Sequence, residues 1–510
     1  MASLALATAV SQFAALTHSF NEADLDQSWA WLAHREGVRF AFLGTYHEML
    51  DLAARLAQQR QDAGPPQTIA QRVLGQYLRA YRDFQVVLLG VTDDDYEREP
   101  APAEWPLRLV VGHALRTQAT FLALTEYGLD RVRHAEERPL AFPPDETARR
   151  VISADEMRAM IFERSRQDML AFFEDLHQRT LAAFAAMTDD ESRGLSLWWE
   201  GEPYTLQHRL HRFDAHLRQH TIQAEKTLAQ LGQPASEAKM LLRLVYQAWA
   251  EVEAATIGAP DLGLAEQQAL AQTIQARAAE VAQVVAQCRA MATAVAQGDL
   301  GEVRQLLAGN AQLANALEPQ RIPVLFTALY RGHGEIAAAL QEAGAALDLF
   351  AATAVGRLDL VQEELATYPE DVNEDSRDGF TPLQFACYFG HEELALWLIA
   401  HGADVHAAAK NAQRIQPIHA AAANGSLPIL RALLAAGADA NARQQQDFTP
   451  LHTAADRDDV PMAELLLAHG ADPHAQTSSG QTPLDVARDR GRQLVAAYLQ
   501  SHMEKGRNIP

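Results

Sequence analysis

The sequence predicts an all-α chain in two parts, a helical bundle with flanking helices and then a stack of short helical repeats, and three observations predict it. Related phrases return every 33 to 35 residues between about residues 289 and 503. Upstream, over about 67–232, apolar residues recur at steps of three and four, the period of a helix with one buried face. Pro-rich or acidic breaks, DDDYEREPAPAEWP (93–106) and RPLAFPPDET (138–147), divide that region into four helical stretches at about 67–91, 105–132, 154–187 and 204–231. At 510 residues, 48% of them apolar, the chain exceeds what one core usually supports. Four parts are expected: an N-terminal helical extension (1–62), a four-helix bundle (67–232), a helical connector (236–288) and about six repeats (289–503).

In the bundle, Leu74, Leu78, Tyr81, Phe84 and Leu88 form the apolar stripe of the first stretch, and Ile161, Met169, Phe172, Leu176 and Phe184 that of the third. On the fourth, Leu206, Leu210, Phe213, Leu217, Ala224 and Leu228 alternate steps of three and four, and His220 fills the one place that series leaves. A histidine is thereby aimed inward. His216 sits one turn earlier on the same face, and an HxxxH pair on an inward face can chelate one ion. His208 and His211 fall on the polar side of this helix, and His34, His47 and His177 have no paired motif.

The segments EWPLRLVVGHALRTQATF (104–121) and YTLQHRLHRFDAHLRQHTIQAEKTL (204–228) resemble the DinB-like family of metal-binding four-helix bundles, over about 67–232. In that family one histidine of the second helix joins an HxxxH pair of the fourth around a divalent metal, leaving open coordination for water or substrate. The resemblance therefore implies His113, His216 and His220 as ligands and Gln223 as a supporting neighbour, and Trp105 matches the family's tryptophan at the start of the second helix. It implies one divalent transition metal, zinc or nickel first among those imidazole suits. Relatives include thiol-cofactor-dependent transferases and isomerases, so it also implies a low-molecular-weight thiol, a small-molecule substrate and a metal- and thiol-dependent transferase, isomerase or hydrolase. A metal on three neutral imidazoles keeps its charge and can lower the pKa of a thiol or water. Three imidazoles buried without an ion would leave polar capacity unused.

Downstream, GFTPLQFACYFGHEELALWLIAHGADV (379–405) returns as IQPIHAAAANGSLPILRALLAAGADA (415–440) and DFTPLHTAADRDDVPMAELLLAHGADP (447–473). Pro382, Pro417, Pro450 and Pro483 are 35, 33 and 33 residues apart, a regularity that resembles ankyrin repeats. Proline suits the first position of a helix, and the glycine of AxGA suits a left-handed end to the second. Earlier units are weaker: Gly298, Gly332, Gly356 and Gly390 are spaced by 34, 24 and 34, and the short step predicts a unit without its hairpin-like loop. His419 and His452 stand where Gln384 stands in its own repeat, which predicts hydrogen bonds between repeats rather than a metal site. The resemblance implies a protein partner, met on the hairpin side by exposed residues such as Gln444, Gln445, Gln446 and Asp447.

Charge narrows the partners further. Residues 251–510 carry 32 acids against 17 bases, so a nucleic-acid backbone is not expected. Between Asp359 and Asp378 lie eight acids and one base, Arg377, read as a solvated face before a docking patch. The two cysteines, Cys288 and Cys387, form no metal-like or redox spacing and suit a reducing cytoplasm, and no apolar run approaches a membrane span. Neither cysteine lies in the bundle, so a nucleophilic thiol would come from outside. No Ser–His–Asp arrangement, phosphate loop or carboxylate dyad is evident, and beyond the metal ligands the catalytic residues are unassigned. Two functions follow: a metal-dependent enzyme coupled to a recognition stack, or a non-enzymatic scaffold whose bundle is structural.

Overall fold

The structure is a computed structural model that describes residues 4–30, 37–64, 66–136, 142–143, 145–199 and 202–507. Half of the predicted break at 138–147, and His34, lie outside those residues. The chain divides into two compact units, Met1–Gln287 and Cys288–Pro510. Among the described residues, no helix is long and apolar enough to cross a membrane.

The first unit carries α1 (Leu4–Thr17), α2 (Arg39–Ala63), α3 (Ile69–Val87), α4 (Leu107–Arg133), α5 (Ala154–Phe162), α6 (Arg166–Phe184), α7 (Leu206–Gln230), α8 (Glu237–Thr256) and α9 (Leu264–Gln297), the last running past the unit's end. Helices α3, α4, α6 and α7 share one core, in which Leu74, Leu78, Tyr81 and Phe84 meet Val110, Leu115, Met169, Leu176, Phe213 and Leu217. Each fully buried Leu or Phe adds about 1.5–3 kcal/mol, which outweighs the modest helix propensity of the aromatic positions.

The third predicted stretch is two helices, not one. Ser165 starts α6 afresh: its hydroxyl accepts from the Asp168 amide at 3.1 Å while the Asp168 carboxylate takes the Ser165 amide at 3.2 Å. The restart shifts the helical phase, so Phe173 is buried and Phe172 only half-buried, against the predicted stripe. A two-stranded antiparallel ribbon, β1 (Leu195–Trp199) and β2 (Glu202–Thr205), was also not foreseen. It delivers the chain to Thr205, whose side chain caps α7 by accepting from the His208 amide at 3.2 Å.

A second core joins the N-terminal helices to α8 and α9, burying Phe13, Phe42 and Leu52 against Val245, Trp249, Ile274 and Val281. Helix α8 serves both cores, since Ala250 and Ile257, just beyond its end, pack with the first. Polar ties cross the same seams. Arg82 on α3 makes a two-pronged bond to Glu253 on α8, at 2.8 and 2.7 Å, with its guanidinium 3.5 Å over the Trp249 ring. Arg277, fully buried, donates to Thr45 Oγ1 and to Glu48 Oε1, both at 2.7 Å.

The second unit stacks helix pairs: α10 (Leu300–Gly309) after α9, then α11 (Val324–Tyr330) with α12 (Gly334–Glu342), and α13 (Leu349–Val355) with α14 (Leu358–Thr367). There follow α15 (Pro382–Phe389) with α16 (Glu392–Ala400), α17 (Pro417–Asn424) with α18 (Leu427–Ala435), α19 (Pro450–Arg457) with α20 (Val460–Ala468), and α21 (Pro483–Asp489) with α22 (Gln493–Arg507). Proline opens the first helix of the last four pairs. Gly402, Gly437 and Gly470 follow second helices at φ of +93°, +96° and +86°, a conformation other residues resist.

Loops before the first helices form finger-like projections tied to one another by backbone bonds, as Lys410 to Gly379 at 2.8 Å, Gln445 to Gln413 at 2.9 Å and Ser478 to Gln446 at 2.9 Å. The short step in glycine spacing is a lost finger: after Gly344 the chain enters α13 at Leu349, with Asp348 as its cap. Asparagines that drew no attention in the sequence tie second-helix ends together. Asn373 bonds Gly402 O at 3.1 Å and the Asp404 amide at 2.7 Å, and Asn441 does the same with Gly470 and Asp472 at 2.8 and 2.7 Å.

Candidate metal centre

Two helices supply the three histidines. His113 lies two turns into α4, and His216 and His220 lie one turn apart on the inward face of α7, below Phe213 and Leu217. Ligand nitrogens of the three all fall within 4.8 Å of one another. His216 Nε2 and His220 Nε2 are 3.0 Å apart. Nitrogens that share one tetrahedral ion at about 2.0–2.1 Å sit roughly 3.3 Å from each other, so this spacing suits a common ligand.

The protons decide more than the distances. Gln223 Oε1 lies 2.9 Å from His220 Nδ1, and an amide oxygen only accepts, so Nδ1 carries the proton and Nε2 is left with a bare lone pair. That lone pair faces His216 Nε2. If His216 donates to it, its own Nδ1 becomes a buried acceptor, and Nδ1 is a buried atom with no hydrogen-bond partner. If Nδ1 keeps the proton, two lone pairs confront each other at 3.0 Å, an arrangement that a cation between them would relieve. Either way the pair is incomplete as protein alone, and the donor set fits a metal.

Electrostatics keep the set neutral. His216 is pushed down to about 3 by burial, with His220, His113 and Arg212 adding to it. Burial lowers His220 as well, against the Gln223 bond, and lowers His113 together with Arg116. At pH 7 all three offer lone pairs. The Arg116 guanidinium is 3.4 Å from His113 Nδ1, a long contact at the exposed rim. Around the triad, the Trp105 ring lies 5.7 Å from His113 and the Phe121 ring stands edge-on to His216 at 5.6 Å. Neither Arg116 nor Phe121 stood out in the sequence, although both sit on α4 at helical steps from His113.

Residues 76–224 match the DinB superfamily, and residues 291–509 match ankyrin repeats in three overlapping copies, 291–409, 349–444 and 418–509. The chain joins a DinB-superfamily domain to ankyrin repeats. The DinB superfamily is generally metal-binding. The chain is also similar to ankyrin repeat domain-containing protein 49 of Bos taurus, 49% identical over 51 residues, which is 10% of this chain and 21% of that protein. It thus spans about a fifth of the length of that relative.

The remaining predicted residues are not gathered at the triad. His208 is exposed and stacks on Tyr204 at 4.3 Å, and His47 is exposed beside Tyr46. His177 is buried in the DinB core, stacked on Tyr81 at 3.7 Å and 3.1 Å from the Tyr77 hydroxyl. In the ankyrin repeats, His419 accepts from the Gln416 amide at 3.2 Å and donates to Ala442 O at 3.0 Å. His452 accepts from the Thr449 amide at 3.2 Å and reaches Gln481 O at 3.1 Å. Gln384 does the same work, donating to Ala407 O and Ile415 O at 2.8 and 2.6 Å. Gln445, Gln446 and Asp447 lie exposed at a finger tip with Gln444 half-buried beside them, Gln446 and Asp447 at positive φ.

Proposed function

We propose that the DinB domain, about 67–232, holds one divalent transition metal, zinc or nickel, through His113, His216 and His220. The observation that carries this reading is the buried His216–His220 contact that hydrogen bonding within the protein leaves incomplete. When bound, such an ion supplies Lewis acidity toward a low-molecular-weight thiol or water and a small-molecule substrate. The chain's own residues do the rest. Gln223 fixes the His220 tautomer and so keeps Nε2 available, as neighbours of metal-bound histidines do. Burial keeps the imidazoles unprotonated at neutral pH. The Trp105 and Phe121 rings pack beside His113 and His216. Cys288 and Cys387 are buried and not in a disulfide, neither lies in the bundle, and burial pushes the Cys387 thiol up, so a reacting thiol comes from solution.

The ankyrin repeats, about 289–503, are the recognition half, and their partner is a protein rather than a nucleic acid, met at Gln444, Gln445, Gln446 and Asp447. Two buried cysteines that form no disulfide suit a reducing compartment such as the cytoplasm. Elemental analysis of the purified chain, expressed in metal-supplemented medium, tests the metal reading. About one zinc or nickel per chain is expected, lost in His216→Ala and in His220→Ala and kept in His208→Ala. A chelator should lower the melting temperature of the wild type by a few degrees and leave His216→Ala nearly unchanged, because an ion bound only to the folded state stabilises only that state. Metal-free protein that shows no shift on adding zinc or nickel would leave the scaffold reading standing.

A further inference from the structure

The lost finger leaves a gap that an aromatic side chain turns to use. Tyr330, the last residue of α11, reaches across it, and its hydroxyl donates to Asp378 Oδ2 at 2.7 Å on the next finger, 48 residues away. Ser376 Oγ donates to the other carboxylate oxygen at 2.5 Å. Behind this bridge, between two fingers and the first helices α15 and α17, lies a cavity of about 360 Å³. Its walls include Tyr330, Asp378, Phe385, Tyr388, Gln413 and Ile415.

At the cavity, Tyr330 and Tyr388 are 36% and 41% exposed. Their rings stand 6.0 Å apart at 70°, and Phe389 lies 5.7 Å from Tyr330. Aromatic faces are electron-rich and attract cations, most strongly where water is thinned out. The charge at the mouth has the matching sign: Asp378 ends the run of eight acids that begins at Asp359. The nearby Lys410 is held by Asp375 at 2.5 Å. Burial and Asp378 push the Tyr330 hydroxyl up, so it remains a donor.

We propose that this cavity takes the side chain of an arginine or lysine from a protein partner, its aliphatic stem and charged head lodged among Phe385, Ile415, Tyr330, Tyr388 and Asp378. The inference rests on the reading of the ankyrin repeats as a protein-binding surface and names the chemistry of what they bind. An apolar wall alone would favour an uncharged side chain, and a carboxylate alone would favour any cation. The two together select a cation on an apolar stem.

The experiment uses the full-length chain and three small probes of one shape: n-butylguanidinium, n-butylammonium and the neutral n-butylurea. Saturation-transfer NMR should show both cations bound roughly fivefold better than the urea. Asp378→Asn and Tyr388→Leu should each remove most of that preference with the circular dichroism unchanged, and Gln445→Ala should leave it intact. Equal response to all three probes, or a preference that survives both variants, overturns the inference. A random peptide library panned on the same chain separates this from the broader reading. Retained peptides that share a basic residue, and are lost on Asp378→Asn, support the inference. Retained peptides without one overturn it and leave the protein-partner reading in place. Cation preference with no peptide retained upholds the cation pocket and overturns the protein-partner reading.

Discussion

Both halves of the chain bury histidines, and burial lowers the pKa of His216 and His220 in the DinB domain just as it lowers that of His419 and His452 in the repeats. What separates them is where the ring nitrogens go. In the repeats each ring has one nitrogen accepting from a backbone amide and the other reaching a backbone carbonyl of the next finger. In the DinB domain the rings point at each other and one nitrogen meets nothing. Burial therefore does not distinguish a structural histidine from a candidate ligand, whereas the fate of its lone pairs does.

The halves also differ in the reach of their polar ties. Arg82 and Glu253 are 171 residues apart, while His419 and Ala442 are 23 apart and His452 and Gln481 are 29 apart. The largest effect should therefore follow Glu253→Ala, which strands a buried guanidinium and should cost about 3–5 kcal/mol in chemical denaturation of the full chain, confined to the transition of the first unit. A cost under about 1 kcal/mol would mean that Arg82 finds relief elsewhere.

Next in size, His419→Ala or His452→Ala should each cost about 2–3 kcal/mol in the transition of the repeats, because backbone groups lose their partners. Glutamine at either position should recover most of that loss, as Gln384 already stands in for histidine in its own repeat. By contrast, His216→Leu in metal-free protein should cost less than about 1 kcal/mol, since it removes a polar group that is already unsatisfied. Equal losses for His216→Leu and His452→Ala would break the comparison.

A smaller effect tests His177, whose pKa lies well below the ordinary histidine value, first through burial and then through Arg82. Below about pH 6.5 the unfolded chain takes up a proton that the folded chain refuses, so stability is full above that pH and falls as the pH drops. Between pH 7 and 5.5 this residue should account for roughly 1 kcal/mol, read as the part of the acid-induced drop that is missing in His177→Phe. The smallest effect is expected at the finger tip: Arg443 and Asp447 are 3.7 Å apart and about half exposed, so Asp447→Ala should change stability by less than about 0.5 kcal/mol. A larger loss would make that tip part of the scaffold and unsuitable for testing partner binding.

The sequence made the repeats legible because proline, glycine and histidine recur there for separate backbone reasons that share one period. The inward placement of His216 and His220 was legible for a similar reason, since a stripe at helical spacing leaves few places empty. His113 came from likeness to a family, because a lone histidine on α4 has no local partner to mark it. The restart at Ser165 was written in Ser165 and Asp168 but hidden by a continuous apolar pattern on both sides. The shared core of α1, α2, α8 and α9 was not legible, because contacts between segments about 200 residues apart leave no periodic trace. The Asn373 and Asn441 ties recur at twice the repeat length, with Ala407 between them, and so fell below notice.

The absent finger has a mechanical meaning. Elsewhere neighbouring fingers are fastened by backbone bonds, at Gly379 with Lys410, Gln413 with Gln445, and Gln446 with Ser478. Where one finger is gone, the Tyr330–Asp378 contact is a strut made of two side chains. A stack built this way is stiff along its zipped portion and compliant at the strut, so bending under load should concentrate between α11 and α15. Because Tyr330 grips that strut by one hydroxyl, loss of that single oxygen in Tyr330→Phe should soften the joint and raise amide hydrogen exchange in the finger that carries Asp378, while exchange at Gln413 and Gln446 stays as it was.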